Sequence, residues 1–465
     1  MKAVVVGGGI AGLSAATGLV ERGASVTLVE RESYLGGRAG SWADRLATGE
    51  AFDMERGFHG FFRHYRALRD LLRRVDPALS ALTPAADYPI LGPDGQSESF
   101  AGLPRRAPWN VAALALRTPT LRARDIFAIR PRPALAMLRF DMGRSYRRWD
   151  TTSAKDYLDS LGFPPAARRM LFDVFAHSFF CAEEEMSAGE LLMMFHYYFV
   201  GNRDGLIFDL AARPMSRAFW QPLGERLVAL GAAVETGTAC QGLARGPGGT
   251  WRVELDRGAL EADAVVLALA LPALQSVAAA SPDLAGAWRD DLMALPVTRP
   301  FAVLRLWLDR PMRPERAPFA GTTGFGHLDN ISLYERFQDQ SRAWAERTGG
   351  SVVELHAYAV EEAMDQSELA AELCAGLHAV YPESRAAREL ERRFLWRQDC
   401  PGFPPGIHDR RPSVTTPFAQ LCLAGDFVRL PEPSALMERA ALSGAAAARA
   451  LAPDMRRTAQ GGQHS

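Results

Sequence analysis

Apolar residues cluster along this chain in three distinguishable rhythms. A continuous run, "KAVVV" at residues 2–6, has the signature of a parallel strand covered on both faces. A helical pattern then extends to about Arg22, Gly23 stops it, and "ASVTLVE" predicts a second strand that ends at Glu30. From Phe61 the apolar positions Phe61, Phe62, Tyr65, Leu68, Leu71, Leu72 and Val75 step at helical spacing, with Arg63, Arg66, Arg69 and Arg73 opposite, which predicts a helix over 61–75. "FAVLRLWLDR" and "SVVELHAYAV" alternate apolar and polar residues, as strands with one buried face do. "GAAVETGTACQGL" at 231–243 predicts a strand and turn. "WRVELDRGALEADAVVLALA" predicts a hairpin at Asp256-Arg257-Gly258 followed by a buried strand. "ELAAELCAGLHAVY" predicts an amphipathic helix. An alanine-rich helix opens at Pro433 or Ser434 and ends at Pro453.

Length and composition narrow the setting. At 465 residues, with 48% hydrophobic and 23% charged residues, the chain has the composition of a soluble globular protein and the length of two domains. A formal net charge of -1 argues against a nucleic-acid binder working by bulk electrostatics. Cys181, Cys240, Cys374, Cys400 and Cys422 are odd in number and lack CxxC spacing, so we expect reduced thiols, no disulfide framework, no zinc site and a cytoplasmic location. The N-terminal apolar run is too short for a signal peptide. The longest apolar stretch, from Ala264, is broken by Pro272 and Gln275, so no membrane-spanning segment is expected.

The clearest chemistry lies at the N-terminus. Gly7, Gly9 and Gly12 follow the first strand in G-x-G-x-x-G spacing, and the order strand, glycine turn, helix, second strand, acid is complete. Gly7 permits the turn, Gly9 lets backbone approach a pyrophosphate, and Gly12 lets the helix pack on the strand. The helix N-terminus offers free N–H groups to phosphate, and Glu30 can accept from ribose hydroxyls. A second diglycine, Gly36-Gly37, and then Arg38 follow in "RESYLGGRAGSW"; a second turn and a cation so near the cradle suit a longer cofactor lying extended across the sheet edge.

This entry resembles that of the amine oxidase and phytoene desaturase superfamily, as does "LCLAGDFVRLPEPSALMERAALSGAAAARAL" at the other end of the chain. The resemblance implies an α/β fold: a Rossmann-like FAD-binding domain of the amine-oxidase type with an inserted α+β substrate domain. We assign 1–75, 215–290 and 400–453 to the first, 76–214 and 291–399 to the second, and 454–465 to a disordered tail. The same resemblance implies that Arg31, Gly36, Gly37, Arg38, Gly57, Phe58, Gly425 and Asp426 contact the cofactor. Leu436 and Met437 then open the helix that faces the flavin. "GFHGFFRHYRALRDLLRRVDP" and "MSAGELLMMFHYYFVGNRDGL" together with the closing motif resemble, more narrowly, the carotenoid β-ring desaturase/methyltransferases of the isorenieratene synthase type. That implies conversion of a β-ionone ring to a trimethylbenzene ring. His59 is expected beside the flavin as proton acceptor, with Glu438 and Arg439 as further catalytic candidates. Phe61, Phe62, His177, Phe195, His196 and Tyr198 are expected to line a tunnel for a lipophilic substrate.

Residues 101–140 carry Arg105, Arg106, Arg117, Arg122, Arg124, Arg130, Arg132 and Arg139 around apolar runs, with Asp125 the only acid, which suggests a peripheral membrane contact. Three alternatives stay open: desaturation or isomerisation of another polyene such as phytoene or a squalene-like lipid, a flavin-free prenyl-lipid carrier like the GDP-dissociation inhibitors, and an amine oxidase, for which no aromatic cage can be assigned. The sequence leaves the oligomeric state undefined.

Overall fold

The strand Lys2–Val6 lies at the centre of a five-stranded parallel sheet, between Ser25–Glu30 and Ala264–Leu267, with Ala233–Thr236 and Leu421–Leu423 at the edges. The computed structural model describes residues 1–85, 87–99, 102–104, 109–118, 130–164, 168, 177–202, 204 and 207–452. Val4, Val5, Val265 and Val266 are wholly buried, as a central parallel strand covered on both faces requires. The helix Ile10–Glu21 packs on the closing helix Leu436–Leu451 through small residues. Ser14 Oγ donates to the Ala441 carbonyl at 2.7 Å, and a Cβ on Gly444 would meet the Ala11 carbonyl oxygen at 2.1 Å. The two ends of the chain are thereby joined into one layer.

A three-stranded antiparallel sheet (Cys240–Arg245, Trp251–Leu255, Gly258–Ala262) extends from the parallel one, with its hairpin where the sequence placed it. The remaining large sheet has seven strands in the order Glu389–Arg397, Phe301–Leu308, Ser351–Ala357, Asn330–Leu333, Phe319–Thr322, Ile90–Leu91, Ser97–Glu98. Here the reading of one buried face fails. Every residue of Phe301–Leu308 and Ser351–Ala357 is buried, including Arg305, Glu354 and His356. The polar positions of the alternation face other protein rather than water.

The helix expected over 61–75 is shorter. Phe61–Phe62 pairs antiparallel with Phe208–Ala211, and the helix runs from Arg66 to Leu72. Its first turn has no side-chain cap of its own; the Glu438 carboxylate, from the closing helix, accepts from the Ala67 and Leu68 N–H groups at 2.9 Å each. The closing helix starts at Leu436, not at Pro433 or Ser434, and Ala452 follows its last turn. Of the arginine-rich segment, the helices Trp109–Arg117 and Pro131–Leu138 are described, whereas Arg105, Arg106, Arg122 and Arg124 fall outside the described residues, as does the expected tail at 454–465.

Candidate active site

One cavity of about 690 Å³ runs from the glycine cradle to the large sheet. At its first end, Gly7 adopts φ +105° and Gly12 lies so close beneath it that a Cβ there would meet the Gly7 carbonyl oxygen at 1.8 Å. The backbone of Gly36 bridges to this turn, donating from its N–H to the Gly8 carbonyl at 2.8 Å. The Glu30 carboxylate is tied to the Gly8 and Glu32 N–H groups at 2.6 and 2.8 Å and lines the cavity with Arg31. Burial raises the pKa of Glu30, against those hydrogen bonds. The helix Ile10–Glu21 begins without a side-chain cap, and Ile10 and Ala11 line the cavity, so its first N–H groups are left for a ligand.

A second uncapped helix opens onto the same space. Leu436 (φ +47°) and Met437 line it at the start of the closing helix. Between the two helices, Arg38 Nη2 bonds Asp426 Oδ1 at 2.6 Å, joining motifs 388 residues apart. Burial works against the Arg38 charge, and Asp426 more than offsets it, so the guanidinium stays ionised. Gly37 and Gly425 complete this wall. Two helix N-termini, a carboxylate at the end of the second strand and a glycine-lined floor on which side chains would clash fit an elongated dinucleotide with two anionic regions. FAD has that form, with its pyrophosphate and the electron-rich pyrimidine edge of the reduced flavin.

The far end is oily. Phe58 stacks on Phe319 at 4.2 Å between centroids, Phe62 meets Tyr198 at 4.8 Å, and Tyr88, Phe179 and Phe208 continue the wall. His59 faces the cavity. Its Nδ1–H donates to the Gly57 carbonyl at 2.8 Å, leaving Nε2 as an acceptor. Burial pushes His59 down to about 4, so the ring is neutral at physiological pH.

Several expected residues lie elsewhere. Glu438 caps the helix Arg66–Leu72, and burial raises its pKa; it does not line the cavity. Arg439 is buried behind the wall on Glu190 and on the carbonyls of Ser434 and Asp426. Phe61 is fully buried against Phe219, because the strand pairing turns it inward. Gly57 contributes its carbonyl to His59, and a Cβ on it would strike His356. Phe195 stacks on Phe199, which does line the cavity, and His196 packs near Phe140; neither Phe195 nor His196 lines the cavity itself. His177 does not line the cavity; its Nδ1 lies 2.8 Å from Asp329 Oδ1, which does.

The sequence reading passed over Asp329, Asn330, His356, Tyr358, Asp399 and Cys400, all of which line the cavity. The signal for two of them was present: Glu354, His356 and Tyr358 fall at alternate positions of "SVVELHAYAV".

Comparison with known proteins agrees with this geometry. The family model for flavin-containing amine oxidoreductases matches residues 10–452. A carotenoid phi-ring synthase of Streptomyces griseus is 47% identical over 448 residues, covering 96% of this chain and 87% of the relative. Its namesake in Chlorobaculum tepidum is 28% identical, covering 97% and 88%. Among solved structures, cyclohexylamine oxidase from Brevibacterium oxydans superposes with a TM-score of 0.69 at 15% identity, over 98% of this chain and 99% of that one. Putrescine oxidase bound to putrescine gives 0.68 at 15% identity, over 97% and 99%. With both chain ends built into one dinucleotide cradle and the family match spanning almost the whole sequence, the chain belongs to the flavin-containing amine oxidoreductases and is an FAD-dependent oxidoreductase.

Proposed function

We propose that this protein oxidises the β-ionone ring of a carotenoid to a trimethylbenzene ring, with migration of one methyl group. The observation that carries this reading is the single cavity joining the dinucleotide cradle to an aromatic wall; the 47% identical phi-ring synthase supports the choice of substrate. Bound FAD supplies a hydride acceptor. The protein's own residues must exclude water, stabilise a ring cation and accept protons. Phe58, Phe62, Phe319 and Tyr198 present ring faces and edges, each worth ~0.5–2 kcal/mol toward a nearby cation. The same residues keep out the water that would capture the cation. His59 offers a neutral Nε2 at the cavity. A group held at about 4 can take a proton from a ring cation, which is a strong acid, but it does not retain one at neutral pH.

We place the protein at a lipid surface, from which such a substrate comes. In the two helices described within 101–140, Trp109 and Leu116 of the first are 68% and 79% exposed, Leu135 and Leu138 of the second are exposed, and Arg117, Arg130 and Arg139 are exposed too. No helix among the described residues is long and apolar enough to cross a membrane.

The test is to mix purified FAD-loaded protein with β-carotene, and in parallel with phytoene or ζ-carotene, in anionic liposomes, float the vesicles and separate the pigments. Aromatic-ended carotenoid and protein in the floated fraction are expected. Conversion of phytoene or ζ-carotene with β-carotene untouched would overturn the ring reading in favour of linear desaturation. A protein that stays colourless after FAD is added would overturn the flavin site itself.

A further inference from the structure

We propose that the Tyr358 hydroxyl takes a proton released during ring aromatisation, and that His356 and Glu354 behind it hold that proton. This rests on the ring-oxidation reading above. Glu354 and His356 alternate along the strand Ser351–Ala357 and Tyr358 follows it, so the three share one face. Tyr358 and His356 line the cavity, and Glu354 lies wholly buried beneath them.

The shortest hydrogen bonds set the direction of the protons in this chain; the Phe58 N–H also points at His356 Nε2, but at a longer 3.4 Å. Arg305 binds Glu354 Oε2 through Nε at 2.8 Å and Nη2 at 2.7 Å. Burial raises the Glu354 carboxyl, but Arg305 and His356 outweigh it and hold it at about 2, so it is a carboxylate. Glu354 Oε1 lies 2.8 Å from His356 Nε2, and a carboxylate at that distance requires the proton on Nε2. Nδ1 is then an acceptor, and Tyr358 O–H donates to it at 2.6 Å. Asn330 Nδ2 donates to the same phenol oxygen at 3.0 Å, so the tyrosine proton is directed to the imidazole and a phenol lone pair is left over.

The charge balance favours an incoming proton. Arg305 is flanked by two buried carboxylates, Glu354 and, at 3.8 Å, Glu55. Burial lifts Glu55 to about 7 despite Arg305. Glu354 is shared between the guanidinium and the imidazole, so an imidazolium at His356 would have a buried carboxylate already in contact with it. The His59 ring is hydrogen-bonded to a backbone carbonyl rather than to a carboxylate.

The step balances without an added reagent. A C–H bond beside the ring cation breaks and its electron pair closes the ring double bond. The proton passes to the Tyr358 oxygen, while the tyrosine's own proton moves to His356 Nδ1 and the imidazolium remains paired with Glu354. Tyr358 is the catalytic residue; His356 and Glu354 are positioning residues that act through it.

Tyr358→Phe and His356→Gln are compared with the wild type in two assays of FAD-loaded protein with β-carotene: anaerobic bleaching of the flavin, which reads the first hydride transfer, and turnover with an added quinone, which reoxidises the flavin so that both two-electron oxidations of a ring can be completed. Both variants should bind FAD and bleach its absorbance at close to the wild-type rate, while aromatic product falls by about 10²-fold. Product formation by the wild type should slow in D2O, and that of Tyr358→Phe should lose this response. Aromatic product from Tyr358→Phe at the wild-type rate would overturn the inference, as would parallel loss of bleaching and product, which would mean a role in binding. Failure of the ring-oxidation reading is separate: the wild type itself would then give no aromatic product.

Discussion

Glu190 is the residue whose replacement should reach furthest into the fold. It is 2% exposed, in the first turn of the helix Ala188–Phe195, where it accepts from Arg439 Nη2 at 2.6 Å, Tyr146 O–H at 2.5 Å and Arg411 Nη1 at 3.3 Å. Burial alone would raise its pKa; Arg439 and Arg411 outweigh burial and hold it at about 2, against an ordinary 4.5. That difference corresponds to about 3 kcal/mol of stability at neutral pH, and removing one partner of a buried ion pair costs about 3–5 kcal/mol. Glu190→Gln should therefore destabilise by about 3–5 kcal/mol. The loss should extend to the cofactor, because Arg439 also binds the Asp426 carbonyl and Arg411 binds the carbonyls of Phe427 and Val428, which hold the Asp426 loop. The folded-state pKa is depressed, so the carboxylate's contribution is complete above about pH 4.5 and drains away as pH falls toward 2. Urea unfolding followed by tryptophan fluorescence should show a constant gap between wild type and variant from about pH 6 to 8 that narrows only in acid. Stability within about 0.5 kcal/mol of the wild type, with full flavin content, would refute the reasoning.

Two further substitutions separate the cofactor site from its supports. Gly12→Ala places a Cβ 1.8 Å from the Gly7 carbonyl oxygen, so the helix must lift off the strand; colourless protein is expected, and normal flavin absorbance would contradict the packing role. Glu438→Ala removes the acceptor for two helix N–H groups and should cost ~1–2 kcal/mol in thermal or urea unfolding while FAD binding and turnover persist. A folded, yellow and inactive Glu438→Ala would return that residue to the chemistry.

What could be read along the chain was local. Gly7, Gly9, Gly12 and Glu30 lie within one strand–turn–helix–strand unit, and each is needed for the backbone geometry of its neighbours, so spacing alone revealed the cradle. Glu438 and Arg439 illustrate the limit. They directly follow Leu436 and Met437, but a helix displays adjacent residues in different directions, and of these four only Leu436 and Met437 reach the cavity. Phe61 was misread for a related reason: its apolar spacing fits a helix, and pairing with Phe208–Ala211 overrode that local preference.

The amino-acid sequence by itself determined that a dinucleotide cradle opens the chain, that a strand and helix close it, and that an alternating strand runs through residues 351–357. Tertiary structure decided that Arg38 meets Asp426 across 388 positions and that Arg305, register partner of Glu354, stands beneath His356 and Tyr358. A period-two pattern separates the two faces of a strand, yet it carries no information on what covers either face. In this protein the polar face is closed over by other elements and meets the cavity at His356 and Tyr358, where the tyrosine bonds the histidine and the histidine bonds the buried Glu354.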